Sequence, residues 1–311
     1  MRTLRATLAA LVLATAAACG DPSTAERGGG SASSAIQGGR PAEGRLLFAT
    51  IPPGAGDTDI FAAGPGASPR LERLTDYAGP DNQPVWSPDG SQIAFVSDRA
   101  EAENMDIYVM NADGTGVSRV TEDAALDSGP AWAPDGLRIA FERTDASGHA
   151  EIYVVSLADG SEERLTSNDV IDAQPDWSPD GATIAFMRNT SGDASLMAID
   201  VASGGERQLT DLPGAESNPS WSPDGLTIAY ARSPEGSYSA DIWFMSPTGT
   251  DHRPFSTMEG DQRTFAWSPD GDKLAFLAAT PAGQRVFTQG RASSARSEVA
   301  LSLPVGPPLD L

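Results

Sequence analysis

Histidine is the side chain best suited to proton transfer near neutral pH, and this 311-residue chain has two, His149 and His252. Neither accompanies a Gly-x-Ser-x-Gly elbow or a His-x-x-x-His pair, so nucleophilic hydrolysis and metal binding both lack their usual sequence context. Both are expected on the solvated surface. Carboxylates are far more numerous, 43 against 21 Lys plus Arg, and two sets recur at fixed spacing. Asp89, Asp135, Asp180, Asp224 and Asp270 each sit in a Pro-Asp-Gly. A catalytic group is not repeated five times round a fold, whereas Asp in such a turn bonds back to its own backbone, so these are expected to be turn formers. The second set precedes five tryptophans. Asp81, Asp127, Asp172 and Glu216 stand three residues before a proline, and Asp261 stands three before Thr264. Five carboxylates at equivalent places could form a ring of negative charge that attracts Ca2+ or a basic peptide segment. The competing reading is that each acid caps its own loop by accepting backbone N–H groups. Asn111, Asp113 and Gly114 have a superficial likeness to a calcium loop, but Val109 stands where the first acidic ligand belongs, and turn chemistry accounts for them. No catalytic residue, no metal-ligand set and no cofactor other than that Ca2+ is expected.

The elements that carry these residues declare themselves by repetition. Five segments align, VWSPDGSQIAF, AWAPDGLRIAF, DWSPDGATIAF, SWSPDGLTIAY and AWSPDGDKLAF, with tryptophans at Trp86, Trp132, Trp177, Trp221 and Trp267. Their spacings are 46, 45, 44 and 46 residues. Each unit holds four short strands. The first ends at the Trp, and a tight turn leads to an Ile-Ala-Phe-like second strand. A third strand of the Asp-Ile-Tyr-Val type follows, and a second tight turn leads to an Arg-Leu-Thr-like fourth. The large-small-large pattern of the second strand gives one bulky and one thin face, which suits sheets stacked radially. One tryptophan per unit is expected to be core between neighbouring sheets. Four antiparallel strands every 45 residues or so make a β-propeller blade, so the fold class expected is all-β. A partial copy from Leu46 to Thr75 lacks the Trp strand, and residues 45–311 divide into six blades of about 44.5 residues. The missing innermost strand is expected from the stretch near 303–305.

Together the W-S-P-D-G, I-A-F, D-I-Y-V-M-N-A-D-G and R-L-T motifs resemble those of the TolB-type, WD-repeat-like propellers of the bacterial envelope. The resemblance covers residues 45–303 and does not extend to an N-terminal α/β domain. It implies a six-bladed propeller used as a docking platform; TolB itself binds partner lipoproteins.

Residues 1–18 place Arg2 and Arg5 before an apolar run and Ala16-Ala17-Ala18, the layout of a signal peptide. Cys19 is the only cysteine, which excludes an intramolecular disulfide and a cysteine metal site. Its place just after the small residues is that of the acylated cysteine of a bacterial lipoprotein, although Ala16 stands where Leu is usual. Ordinary cleavage after the alanines is the alternative. Residues 19–44 are rich in Gly, Ser and Ala and read as a flexible tether reaching about 25–30 Å. A net charge of −22 opposes nucleic acid and anionic lipid, leaving the lipid as the only membrane contact. The connections between second and third strands, 51–58, 97–103, 144–150, 189–194 and 233–240, are long and dissimilar, and they share a face with those entering the Trp strands. Specific binding usually resides on such loops. The expectation is a monomeric, non-catalytic, envelope-anchored scaffold for protein partners, another lipoprotein among them, facing the periplasm or cell exterior. A binding module for a small molecule or cell-wall glycan, and a hydrolase, lyase or hydrolase accessory subunit, are the alternatives.

Overall fold

A computed structural model of the chain describes residues 45–299 except 53–54, 65–70, 191–192, 238, 257, 259 and 281–282. The expected signal peptide, Cys19, the tether and the closing strand near 303–305 lie outside the described residues. Those residues form 23 strands in five hydrogen-bonded sheets, with no helix among them. The first sheet has three antiparallel strands, Leu46–Thr50, Asp59–Ala63 and Leu71–Arg73. The Trp86 repeat supplies a four-stranded sheet of Asp81–Trp86, Gln92–Glu101, Asn104–Asn111 and Ser118–Arg119. The Trp221 and Trp267 repeats each form another four-stranded sheet, the latter ending at Arg296–Val299. The Trp132 and Trp177 repeats share one eight-stranded sheet, joined by a single parallel pair, Ala150 with Ile171. The expectation of six separate four-stranded sheets is thus met only in part. The architecture is an all-β propeller.

The second strand explains how the sheets stack. Ile93 and Phe95 pack backward on Leu47 and Ile60 of the first sheet, while Ala94 and Val96 face forward to Trp132, Ile139 and Phe141. The same exchange of bulky against thin faces continues through the Trp177, Trp221 and Trp267 repeats. Leu46 of the first sheet packs on Ala266, Leu277 and Val286 of the last. Phe95, Phe141, Phe186, Tyr230 and Phe276 are wholly buried. Truncating one to Ala removes about 3–5 kcal/mol of packing.

The fourth strand is pinned by its threonine. Thr75, Thr121, Thr166 and Thr210 accept the N–H of Ile60, Ile107, Ile152 and Leu196 at 2.8–3.0 Å. Beside them, Arg73, Arg119 and Arg164 pair with Asp59, Asp106 and Glu151 of the third strand. In the Trp267 repeat the charges are exchanged, with Arg285 on the third strand and Glu298 on the fourth. A pair that reverses polarity but keeps its place is cross-strand stapling.

The tight turns behave as their residues dictate. Asp89 accepts Ser87 Oγ at 2.7 Å and the N–H of Ser91 at 3.0 Å, and these bonds hold its carboxyl down at about 2. Asp135, Asp180, Asp224 and Asp270 likewise accept the N–H two residues on. Asn111, Asp113 and Thr115 close their turn by mutual hydrogen bonds.

Candidate functional site

The acids expected to line the mouth lie at the start of the innermost strands, at the end where the dissimilar connections gather. Asp81, Asp127, Asp172 and Glu216 are all 0% exposed. A carboxylate removed from water that completely needs a counter-charge, and the second strand supplies one. Arg143 lies opposite Asp127 in the strand register and grips it through Nε at 2.7 Å and Nη2 at 2.8 Å. Arg188 does the same to Asp172 at 2.7 and 2.6 Å. In the Trp86 repeat Ser97 lies opposite Asp81, and Arg99, two residues on, takes the arginine's part, with Nη2 at 2.8 and 2.9 Å from the two oxygens of Asp81. Aromatic faces seat the guanidinium groups: Arg99 over Phe95 and Tyr108, Arg143 over Phe141 and Tyr153, Arg188 over Phe186. Arg143 and Arg188 also reach outward to Glu162 and Glu206.

The Trp221 repeat is looser. Arg232 stacks on Trp243, but its Nε is 3.5 Å from Glu216 and no hydrogen bond joins them. Burial therefore dominates and pushes Glu216 up to about 7. The Trp267 repeat has no such pair. The place of Asp81 belongs to Gln262, which is buried and donates its backbone N–H to the carbonyl of Ala240 as Asp81 does to that of Thr58. Asp261 is one residue out of register, 42% exposed, and paired with Arg263.

These contacts correct the expectation of a charged ring. Four of the five acids face arginines across their own sheet instead of presenting charge to the mouth, and the fifth is not their equivalent. Asp261 accepts the N–H of Ala240 at 3.1 Å, 21 residues earlier in the chain, so this bond does not cap its own loop. No cluster of three or more His, Cys, Asp or Glu side chains in a metal-binding arrangement occurs among the described residues. The tryptophans lie where expected: Trp86, Trp132, Trp177 and Trp267 are buried between sheets, and Trp221 is partly so. Trp132 and Trp267 donate Nε1–H to Val85 and Ser220 of the preceding repeat. The histidines differ from expectation in part. His149 closes a turn with Asp145, but His252 shares a 3.0 Å hydrogen bond with the buried Tyr230 and meets its ring edge-on.

Two further acids, the half-buried Asp176 and the buried Glu142, were not singled out by sequence reasoning. Asp176 accepts the N–H of Trp221 at 2.6 Å, and burial between the two repeats raises it to about 7. Glu142, 2% exposed, accepts Ser128 Oγ and the N–H of Gln174, and burial raises it also. The signal was present. Asp176 stands where other repeats have Val85, Ala131, Ser220 or Ala266, and Glu142 where they have Val96, Met187 or Ala231.

What remains exposed on this end is acidic. Glu101, Glu103, Glu122, Asp145, Asp211 and Glu235 are exposed and make no ion pair, while Arg99, Arg143, Arg188, Arg232 and Arg263 are each turned to an acid.

The TolB beta propeller domain matches residues 67–271 of the chain. No curated protein matches it. Among solved structures it is similar to TolB from Acinetobacter baumannii, with a TM-score of 0.72 and 21% identity over 82% of this chain and 63% of that one. It thus spans under two thirds of that protein's length. A putative TolB from Agrobacterium tumefaciens matches with a TM-score of 0.64 and 22% identity over 77% of this chain and 87% of that one. An oligogalacturonate lyase in complex with manganese matches with a TM-score of 0.56 and 14% identity, over 84% of this chain and 74% of that one. At such identities the likeness is one of fold.

Proposed function

The chain belongs to the TolB beta propeller family, and from that premise we propose that it is a non-catalytic docking platform of the bacterial envelope. Its loop-rich end would receive a protein partner that presents a basic segment. The observation that carries this reading is the charge partition: Arg99, Arg143, Arg188 and Arg232 are turned to buried acids, while Glu101, Glu103, Glu122, Asp145, Asp211 and Glu235 are exposed and make no ion pair. Such a surface steers cationic partners and repels anionic ones. A non-catalytic role draws support from the same pairs, because carboxylates clasped by arginine are poor proton carriers. We further propose six blades, counting the eight-stranded sheet as two and completing the first with a strand from residues beyond 299. Cys19 would carry the lipid that tethers the domain to the membrane, facing the periplasm or cell exterior.

The test is affinity capture from membranes with the full chain, read by mass spectrometry and followed by calorimetry on the partner recovered. Reversing Glu101, Glu122, Asp211 and Glu235 to Lys is expected to weaken binding at least tenfold, and binding to the native surface is expected to weaken as salt rises. A partner whose affinity ignores both changes would overturn the acidic docking face.

A further inference from the structure

In four repeats the innermost strand bulges just before its proline. The register shifts fall between Asn82 and Val85, Ser128 and Ala131, Ala173 and Asp176, and Ser217 and Ser220. One residue inside each shift is left-handed: Gln83 at φ 49°, Gly129 at 63°, Gln174 at 57° and Asn218 at 50°. Only glycine adopts that conformation without strain, so the other three persist because their surroundings hold them.

The holding bonds run from repeat to repeat. Gln83 Oε1 accepts the N–H of Gly129 at 2.7 Å, and Gln174 Oε1 accepts the N–H of Asn218 at 2.8 Å. Asn218 Nδ2 donates to the carbonyl of Arg263 at 2.7 Å. Gly129 has no side chain with which to reach Gln174. That step is made from the second strand of its own sheet: Glu142 Oε2 accepts the N–H of Gln174 at 2.7 Å, while Oε1 accepts the Ser128 hydroxyl at 2.7 Å. A Cβ on Gly129 would come within 3.2 Å of Glu142 Oε2, so a side chain there and this carboxylate compete for one space.

We propose that these bonds form a relay that couples the innermost strands of successive blades, and that Glu142 is a transplanted relay acceptor replacing the side chain missing at Gly129. Glu142 is then a positioning residue, although an isolated, buried acid invites a catalytic reading. Its surroundings fit the role. Ser128 and Gln174 are its partners, and no cation faces it. Arg143, the next residue, points to the opposite face of the sheet and grips Asp127. Burial accordingly raises the Glu142 carboxyl with nothing charged to offset it.

A double-mutant cycle tests the relay. Glu142→Val alone orphans the Gln174 N–H, and Gly129→Gln alone collides with Glu142, so each lowers the urea midpoint. Together they reproduce the arrangement of Gln83 and Val96, and the midpoint is expected to return to near the wild-type value. Hydrogen exchange at the Gln174 amide gives a second readout. The amide is expected to exchange at least tenfold faster in Glu142→Val and to be protected in the double variant. Should Glu142→Val not fold, Glu142→Gln keeps an acceptor oxygen and is expected to retain that protection. Additive losses in the cycle, or loss of Gln174 protection in Glu142→Gln, would overturn the relay.

Discussion

The repeats of Trp86, Trp132 and Trp177 and those of Trp221 and Trp267 follow one plan and are finished differently. In the first three, a buried acid meets an arginine at 2.6–2.9 Å through two hydrogen bonds. In the fourth the pair has opened to 3.5 Å, and in the fifth Gln262 and Ala278 occupy both places. The fourth strand repeats the contrast. Thr121, Thr166 and Thr210 hold a backbone N–H, but Ser256 of the Trp221 repeat has no partner for its hydroxyl. The acid and its arginine are therefore retained or lost as a unit, as expected where an unpaired buried charge costs more than the pair contributes. The looser sector has fewer interactions to break when it adjusts, so it is where opening motions should be easiest.

The largest expected effect comes from breaking a tight pair. Arg143→Ala strands the buried Asp127 and should cost about 3–5 kcal/mol in urea unfolding. Arg232→Ala should cost less than half as much. Equal losses would erase the distinction between the sectors. Next in size, Thr121→Val orphans the Ile107 N–H and should cost about 1–3 kcal/mol, whereas Ser256→Ala should stay within about 0.5 kcal/mol.

The loosened pair should also register in pH. Burial raises Glu216 and Asp176 to about 7 in the folded protein, above their unfolded values. Their contribution is complete below about pH 4 and fades as pH climbs toward about 7. Melting temperature should therefore fall between about pH 4.5 and 7.5, and Glu216→Gln with Asp176→Asn should flatten that slope. A slope unchanged by the two substitutions would assign it to other groups. The smallest effect is a gain. Installing Gln262→Asp with Ala278→Arg rebuilds the missing pair and should add up to about 1 kcal/mol, while Gln262→Asp alone should destabilise.

Much of the fold was legible because its determinants are local. Five copies of Trp-x-Pro-Asp-Gly at a constant period announce turn, strand and blade, and the Ile-Ala-Phe alternation states which face is thick. The candidate site was legible in part. The acids before the Trp strands were found by their recurrence, but their burial and their partners were not. Each partner arginine lies 16 or 18 residues downstream, across a strand pair, and Arg99 is two residues beyond Ser97, the residue opposite Asp81. Counting back from Thr264 selected Asp261, because the Trp267 repeat carries one more residue between its acid and its tryptophan than the others do.

The sequence by itself determined the blade. Proline, aspartate and glycine fix the turn within four residues, and alternation along a strand needs no knowledge of what lies beside it. The tertiary structure alone decided what the carboxylates became. Whether an acid is a solvent-facing charge, half of a clasped pair or a relay between blades depends on the residue brought opposite it. Contacts such as Gln83 to Gly129 or Asp176 to Trp221 join positions 45 or 46 residues apart, which meet only once neighbouring sheets have stacked.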